Sequence, residues 1–218
     1  MNFKTAFEIF EHTLSTEARV STAINLGMLA MVDQDLIELA NQEVTNALAV
    51  GRRVWLTSDL HLCHANIISY CDRPHFDVGS MNESLLQLLG KVGPDDLLVI
   101  VGDVAFGPPE AALEWVRRIS GRKILIVGNH DLSRDGRCHK HLRERGLFEA
   151  IIPFLFWTGS QGRDVIACHY PATLPASYKS PYRLLNYHGH LHEKTLASTD
   201  KVKFMNVGWD VDYSLKCL

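Results

Sequence analysis

The sequence contains no C-x-x-C pair, and its five cysteines, Cys63, Cys71, Cys138, Cys168 and Cys217, are odd in number. A disulfide scaffold and a structural zinc knuckle are therefore not expected; reduced thiols in a cytoplasmic protein are. Long apolar runs are missing as well. The uncharged stretch from Val20 to Val32 is too short to span a bilayer and predicts a buried helix. The opening residues mix Phe, Glu and Lys, which excludes a signal peptide from the expectation. Repeats and low-complexity tracts are absent. Strong charge of one sign is absent too: the formal net charge is −3, so charge indicates neither a nucleic-acid nor a membrane partner. What charge there is divides unevenly. Residues 1–50 carry two basic and seven acidic groups, whereas the remainder carries twenty and eighteen.

With 218 residues, 46% of them hydrophobic and 22% charged, the chain can bury one good core. Residues 1–50 read as helical. One helix is expected from about Thr16 to Met31. A second follows Asp33 as cap, with Leu36, Ile37, Leu39, Ala40, Val44, Ala47 and Leu48 on one stripe. Packing against the rest of the chain is the plain role for this segment; a homo-oligomeric contact is the alternative. From Arg53 strands alternate with helices. Strand candidates are 54–57, 97–101, 124–127, 165–168, 184–187 and 202–207; Ala150 to Trp157 is apolar, but Pro153 argues for an edge or a break. Helices are expected at 65–71, after a Ser80–Glu83 capping box, from Pro109, and as a basic surface helix over 136–145.

Five motifs follow in order: Asp59-Leu-His61, Gly102-Asp103, Gly128-Asn129-His130-Asp131, His169, and Gly189-His190-Leu-His192. They offer seven oxygen and nitrogen ligands: Asp59, His61, Asp103, Asn129, His169, His190 and His192. Hard and borderline ligands in that number make the set of a two-metal hydrolytic site, where paired cations activate water against phosphorus. Most of the motifs end a strand candidate. Polar groups gather there because loops beyond strand ends carry them over a rigid sheet. An extended backbone would put Asp59 and His61 on one face, and likewise His190 and His192. The glycines before Asp103, Asn129 and His190 allow a sharp exit and close backbone approach.

In this order the motifs resemble those of the calcineurin-like metallophosphoesterases, over roughly residues 53 to 212, and the stretch Ser58-Asp-Leu-His-Leu-Cys-His-Ala-Asn-Ile-Ile with Arg73-Pro74 looks like a compact bacterial or phage branch. The resemblance implies a four-layer α-β-β-α sandwich of two mixed β-sheets flanked by helices, residues 51–218, with 1–50 as a helical N-terminal extension. It implies one metal on Asp59, His61, Asp103 and His192 and a second on Asp103, Asn129, His169 and His190, with Asp103 bridging. A hydroxide between the metals would attack phosphorus in line. His130 would stand near the leaving oxygen and donate a proton or stabilise its charge. Asp131 would orient His130 or cap a helix. Mixed ligation suits Mn²⁺, with Fe, Zn²⁺, Ni²⁺ or Mg²⁺ as alternatives. The family's protein phosphatases continue the second motif as G-D-x-V-D-R-G. Here it reads Gly102-Asp-Val-Ala-Phe-Gly-Pro, which turns the expectation to a small-molecule or nucleotide phosphodiester or phosphomonoester. A nucleotide pyrophosphatase or nuclease is the alternative within that fold, and an inactive scaffold the alternative of another class.

Other residues near the motifs divide between two readings. His64 and Asn66 would support the metal site or touch phosphate, or else open a helix. Arg73 would grip a substrate phosphate through its fork of donors, or form a surface ion pair. Tyr178, Lys179, Tyr182 and Arg183 would stack on a base or sugar, or form an ordinary loop. Cys138, His139 and His141 are expected on a solvated helix, and His188 is expected to point away from His190.

Overall fold

The computed structural model describes residues 1–218. Two mixed sheets flanked by helices make the architecture. The first sheet has the order β4-β3-β2-β1-β9 and the second β5-β6-β7-β8. The first contains β1 (Val54–Thr57), β2 (Leu97–Val101), β3 (Arg122–Ile126) and β4 (Ala150–Ile152), all parallel, with β9 (Lys216–Cys217) antiparallel to β1. In the second, β5 (Phe154–Thr158) runs antiparallel to β6 (Asp164–Cys168), while β6, β7 (Leu184–His188) and β8 (Val202–Asn206) are parallel. Period-two alternation explains why β2 is apolar throughout. Leu97, Val99 and Val101 face the core shared with the second sheet; Leu98 and Ile100 face the opposite core.

That opposite core is closed by α4 (Ala65–Tyr70), α5 (Val78–Leu89) and α6 (Pro109–Arg117), through Ile67, Met81, Leu85, Leu89, Ala112 and Val116. Pro153 is the break between sheets: β4 is the edge of one and β5 the edge of the other. Proline cannot donate to a ladder, so the chain changes sheet there.

Residues 1–50 form α1 (Phe3–Thr16), α2 (Thr22–Ala30) and α3 (Gln34–Ala49). The expected helix over 16–31 is therefore shorter at its start, because Ser21 caps α2 by accepting from the Ile24 N–H, and the chain turns at 17–21. Asp33 caps α3, accepting from the Leu36 N–H at 3.1 Å. α2 is not a buried helix, since Met28 is its one buried residue. α1 and α3 turn most of their apolar faces into the chain, but Leu39, expected on the stripe of α3, is exposed. Ile9, Phe10, Ile37 and Val44 join the core between the sheets, and Phe10 and Phe154 rings lie 4.8 Å apart. Asn41 of α3 accepts the Phe156 N–H at 2.8 Å, so the exposed edge of β5 is covered.

Two further expectations change. The cap of α5 is Asp77, which accepts from the Ser80 N–H at 2.7 Å while Ser80 Oγ accepts from the Asp77 N–H, so the capping box sits one turn earlier than Ser80–Glu83. Residues 136–145 form no α-helix. A turn closed by Ser133 and Arg137, with Gly136 at φ 77°, leads into a single 3-10 turn at Lys140–Arg143. All five cysteines are free thiols. No helix is long and apolar enough to cross a membrane.

Candidate metal centre

The carboxyl ends of β1, β2, β3, β6 and β7 converge, and the loops leaving them carry all seven candidate ligands. Ligand atoms of Asp59, His61 and His192 lie within 4.8 Å of one another, as do those of Asp59, Asp103 and His169. The Asn129 Oδ1 is 3.1 Å from His169 Nε2 and 3.0 Å from His190 Nδ1, which brings the remaining two into the same cluster. The mechanism of convergence differs from extended backbone. Asp59, His61, Asp103, His190 and His192 all hold positive φ, between 50° and 68°. Each such non-glycine residue costs about 1–3 kcal/mol, which persists only where the surroundings over-determine it.

The surroundings supply that constraint. The N–H groups of Asp59 and His61 donate to the carbonyls of Gly102 and Asp103, zipping two loops together at 3.0 Å each. The Asp59 carboxylate accepts the His190 N–H at 3.1 Å, tying the loop after β1 to the loop after β7. Gly102, at φ 93°, is required: a Cβ there would lie 2.2 Å from His169 Nδ1. At Gly128 a Cβ would sit 2.1 Å from Asp103 Oδ1.

Asp131 neither caps a helix nor orients His130. It is fully buried, and its carboxylate accepts from the N–H groups of Asp103, Val104 and Gly128 at 2.8–3.0 Å. It thus clamps the loop after β2 to the loop after β3. Burial and the charge of Asp103 push its carboxyl up to about 7, against the pull of those three donors.

Arg73 is corrected too. Its side chain is buried, paired with Asp210 at 2.7 and 2.9 Å, and it donates to the carbonyls of Asp59 and Leu60. No donor is left for phosphate. The other task of Asp210 is to accept the Nδ1–H of His192 at 2.9 Å, which leaves Nε2 of that ring free. Likewise His169 donates Nδ1–H to Val101 O at 2.9 Å and keeps Nε2 for a ligand. Cys71 also lies beside His192 and Asp210, but the oxygens of Asp210 are already committed.

His64 is the N-terminal residue flanking α4. Its Nδ1 is 3.4 Å from His61 Nδ1, and its ring packs 4.6 Å from the exposed ring of Phe106. Asn66 is exposed and makes no side-chain hydrogen bond, so nothing ties it to the cluster. The half-buried imidazole of His130 lies 5.2 Å from His61 and 5.3 Å from Phe106, centroid to centroid. His188 is buried and bonds Gly189 O through Nδ1. His139 and His141 stack at 5.4 Å around the 3-10 turn rather than on an α-helix. Residues 178–183 precede β7 and Tyr178 bonds Asp164 at the start of β6, so this loop sits at the strand ends opposite the cluster and cannot stack on a substrate there.

Two buried polar atoms in the cluster make no hydrogen bond: His61 Nε2 and Asp103 Oδ2, 3.6 Å apart, the carboxylate oxygen also lying 3.4 Å from His169 Nε2. Orphaned buried groups cost about 1–3 kcal/mol each, and a cation between them would satisfy both. The donor set therefore fits divalent metal.

A family model for calcineurin-like phosphoesterases matches residues 52–216, and the chain belongs to that family of metal-dependent phosphoesterases. The Gene 66 protein of Mycobacterium phage D29 is 28% identical over 189 residues, covering 74% of this chain and 90% of its own. An uncharacterized protein of Methanocaldococcus jannaschii is 39% identical over 83 residues, which are 37% of this chain; the chain spans about half the length of that relative, 47%. Among solved structures, a protein of unknown function from Aquifex aeolicus superposes with a TM-score of 0.58 at 24% identity, over 76% of this chain and 95% of that one, a likeness of fold. The matches fit a compact phage or bacterial branch.

Two outcomes are expected. Arg73→Met leaves buried Asp210 with His192 alone as partner and the carbonyls of Asp59 and Leu60 without their donor, and should cost about 3–5 kcal/mol in chemical denaturation; a phosphate-binding arginine would instead raise KM and leave stability unchanged. The second concerns pH. Burial lowers the imidazolium of His169, but Asp103 outweighs it and the ring rises to about 9. In His192, burial is outweighed by Asp210 and the ring rises to about 10. Both rings hold protons at neutral pH without metal, and a cation must displace them. Mn²⁺ affinity should therefore climb with pH and level off only at about 9 to about 10, with proton release visible as a buffer-dependent heat of binding.

Proposed function

We propose that the chain hydrolyses a phosphodiester or phosphomonoester of a small molecule or nucleotide, using two divalent cations. The observation that carries this reading is the buried pair of His61 Nε2 and Asp103 Oδ2, neither of which makes a hydrogen bond, at the junction of the candidate ligand loops. Asp59, His61, Asp103 and His192 would hold one cation; Asp103, Asn129, His169 and His190 would hold the other, with Mn²⁺ the best match to mixed nitrogen and oxygen donors. Bound cations would supply an activated water and would neutralise charge on the phosphoryl oxygens.

The chain's own residues supply the rest. Asp103 carries negative charge shared between the two ligand groups. Burial opposes that charge, but His169 and His61 outweigh burial and hold its carboxyl well below the usual range. The Asp103 Oδ1 also accepts the His130 N–H at 2.9 Å, which fixes His130 relative to the cluster. The imidazole of His130 makes no hydrogen bond within the chain and is half-buried, 5.2 Å from the His61 ring, a place from which it would meet the leaving oxygen. It would donate a proton there or stabilise developing charge. Beside it, the exposed ring of Phe106 offers a flat apolar face, which suits a nucleoside leaving group better than a simple alkyl one.

His130→Ala should retain both cations and lose about 10²–10⁴-fold in turnover on esters with poor leaving groups. The loss should shrink for p-nitrophenyl esters, whose leaving group needs no proton. Steady-state rates on bis(p-nitrophenyl) phosphate, p-nitrophenyl phosphate and cyclic and linear nucleotides, with added Mn²⁺, test the reading. Absence of turnover on every ester by wild-type protein with both cations bound would leave the inactive-scaffold alternative standing.

A further inference from the structure

The turn between α1 and α2 lies outside the matched family span, yet it reaches the metal cluster. Glu17 is the residue flanking the C-terminus of α1, its N–H donating to the carbonyls of Thr13 and Leu14. A carboxylate is disfavoured at that end of a helix, where unpaired carbonyls already concentrate negative charge. A surface glutamate so placed would turn out to solvent. Instead the side chain turns inward and is 8% exposed. Its Oε2 lies 3.9 Å from His190 Nε2.

Other sides of the His190 ring are held as well. Nδ1 is 3.0 Å from Asn129 Oδ1, on the side of the cluster. The Tyr170 ring packs edge-on at 4.8 Å. The turn that delivers Glu17 is itself pinned: Asn25 of α2 donates to the carbonyls of Leu14 and Glu17 at 3.2 and 3.3 Å and accepts from the Tyr170 hydroxyl at 3.5 Å. Arg19 locks the carboxylate through its backbone N–H, Nε and guanidinium at 2.6–2.9 Å. Arg19 is itself 59% exposed, so this lock leaves no buried charge if Glu17 is removed.

We infer that Glu17 is a positioning residue for His190: its carboxylate, 3.9 Å from Nε2 and so an electrostatic neighbour, favours a proton on that nitrogen and thereby leaves Nδ1 for the second cation. A histidine that binds metal through one nitrogen presents N–H at the other, and an acceptor there fixes both the tautomer and the ring plane. In His192 that acceptor is Asp210, and in His169 it is the Val101 carbonyl. Glu17 completes the series from a segment that precedes the phosphoesterase domain. The inference rests on the two-cation reading above.

The test is titration of Mn²⁺ into metal-stripped full-length protein by calorimetry, comparing wild type, Glu17→Ala and Glu17→Gln. Glu17→Ala should weaken one of two sites about 10–100-fold and leave the other unchanged. Its melting temperature without metal should match wild type. Glu17→Gln keeps an acceptor oxygen and should recover most of the lost affinity. In ¹⁵N-imidazole spectra of the metal-loaded protein, the His190 Nε2–H signal should shift in Glu17→Ala. Unchanged affinity at both sites, equal weakening of both with a lowered melting temperature, or no rescue by glutamine would each overturn the inference. Wild-type protein that binds no cation pair would overturn the two-cation reading itself, and is distinguishable from all three.

Discussion

A buried carboxylate governs this structure. Asp103 is buried at the end of a strand whose five residues are all buried, and Asp59 is buried beside it. Two such charges in an apolar two-sheet core require compensation, because isolated buried ions are far too costly. Imidazoles from both sheets supply part of it, and the pair of Asp103 Oδ2 and His61 Nε2, neither of which makes a hydrogen bond, marks what is left for a cation. The rest of the fold positions that compensation. Five strand ends from the two sheets converge, strained left-handed residues carry most of the candidate ligands, and Asp131 and Arg73 clamp the loops from behind.

Both clamps work by the same physics. A buried acidic or basic group becomes tolerable when each of its hydrogen-bonding positions is used. Asp131 takes three backbone N–H groups; Arg73 gives to one carboxylate and two carbonyls. The reward is rigidity at the point where left-handed backbone would otherwise relax. The N-terminal helices extend the principle. They share the core of the sheets, cover the edge of β5 through Asn41, and bring Glu17 to His190.

The candidate ligands were legible as a cluster in the sequence because their signal is local: short motifs, most following an apolar run that forms a strand, as at 97–101 before Gly102-Asp103. The backbone that presents them was not. Spacing of two suggested extended chain at Asp59–His61 and His190–His192, but neighbouring loops impose positive φ at all four positions. The role of Arg73 was hidden because its partner Asp210 is 137 residues away, beyond any spacing rule. Asp210 itself follows β8 outside any of the five motifs. Glu17 was hidden for a similar reason: an acidic residue beside a helix end reads as surface until the tertiary turn buries it. Pro153 gave its signal correctly as a break, though only the structure shows that the break separates two sheets.

The central claim is that these loops build a site for two cations sharing Asp103. Anomalous diffraction from crystals grown with Mn²⁺ measures it directly. The account predicts two peaks about 3.5–4 Å apart, both within coordination distance of Asp103. A single peak, or metal held at Cys71, His192 and Asp210 in place of Asp103, would contradict it.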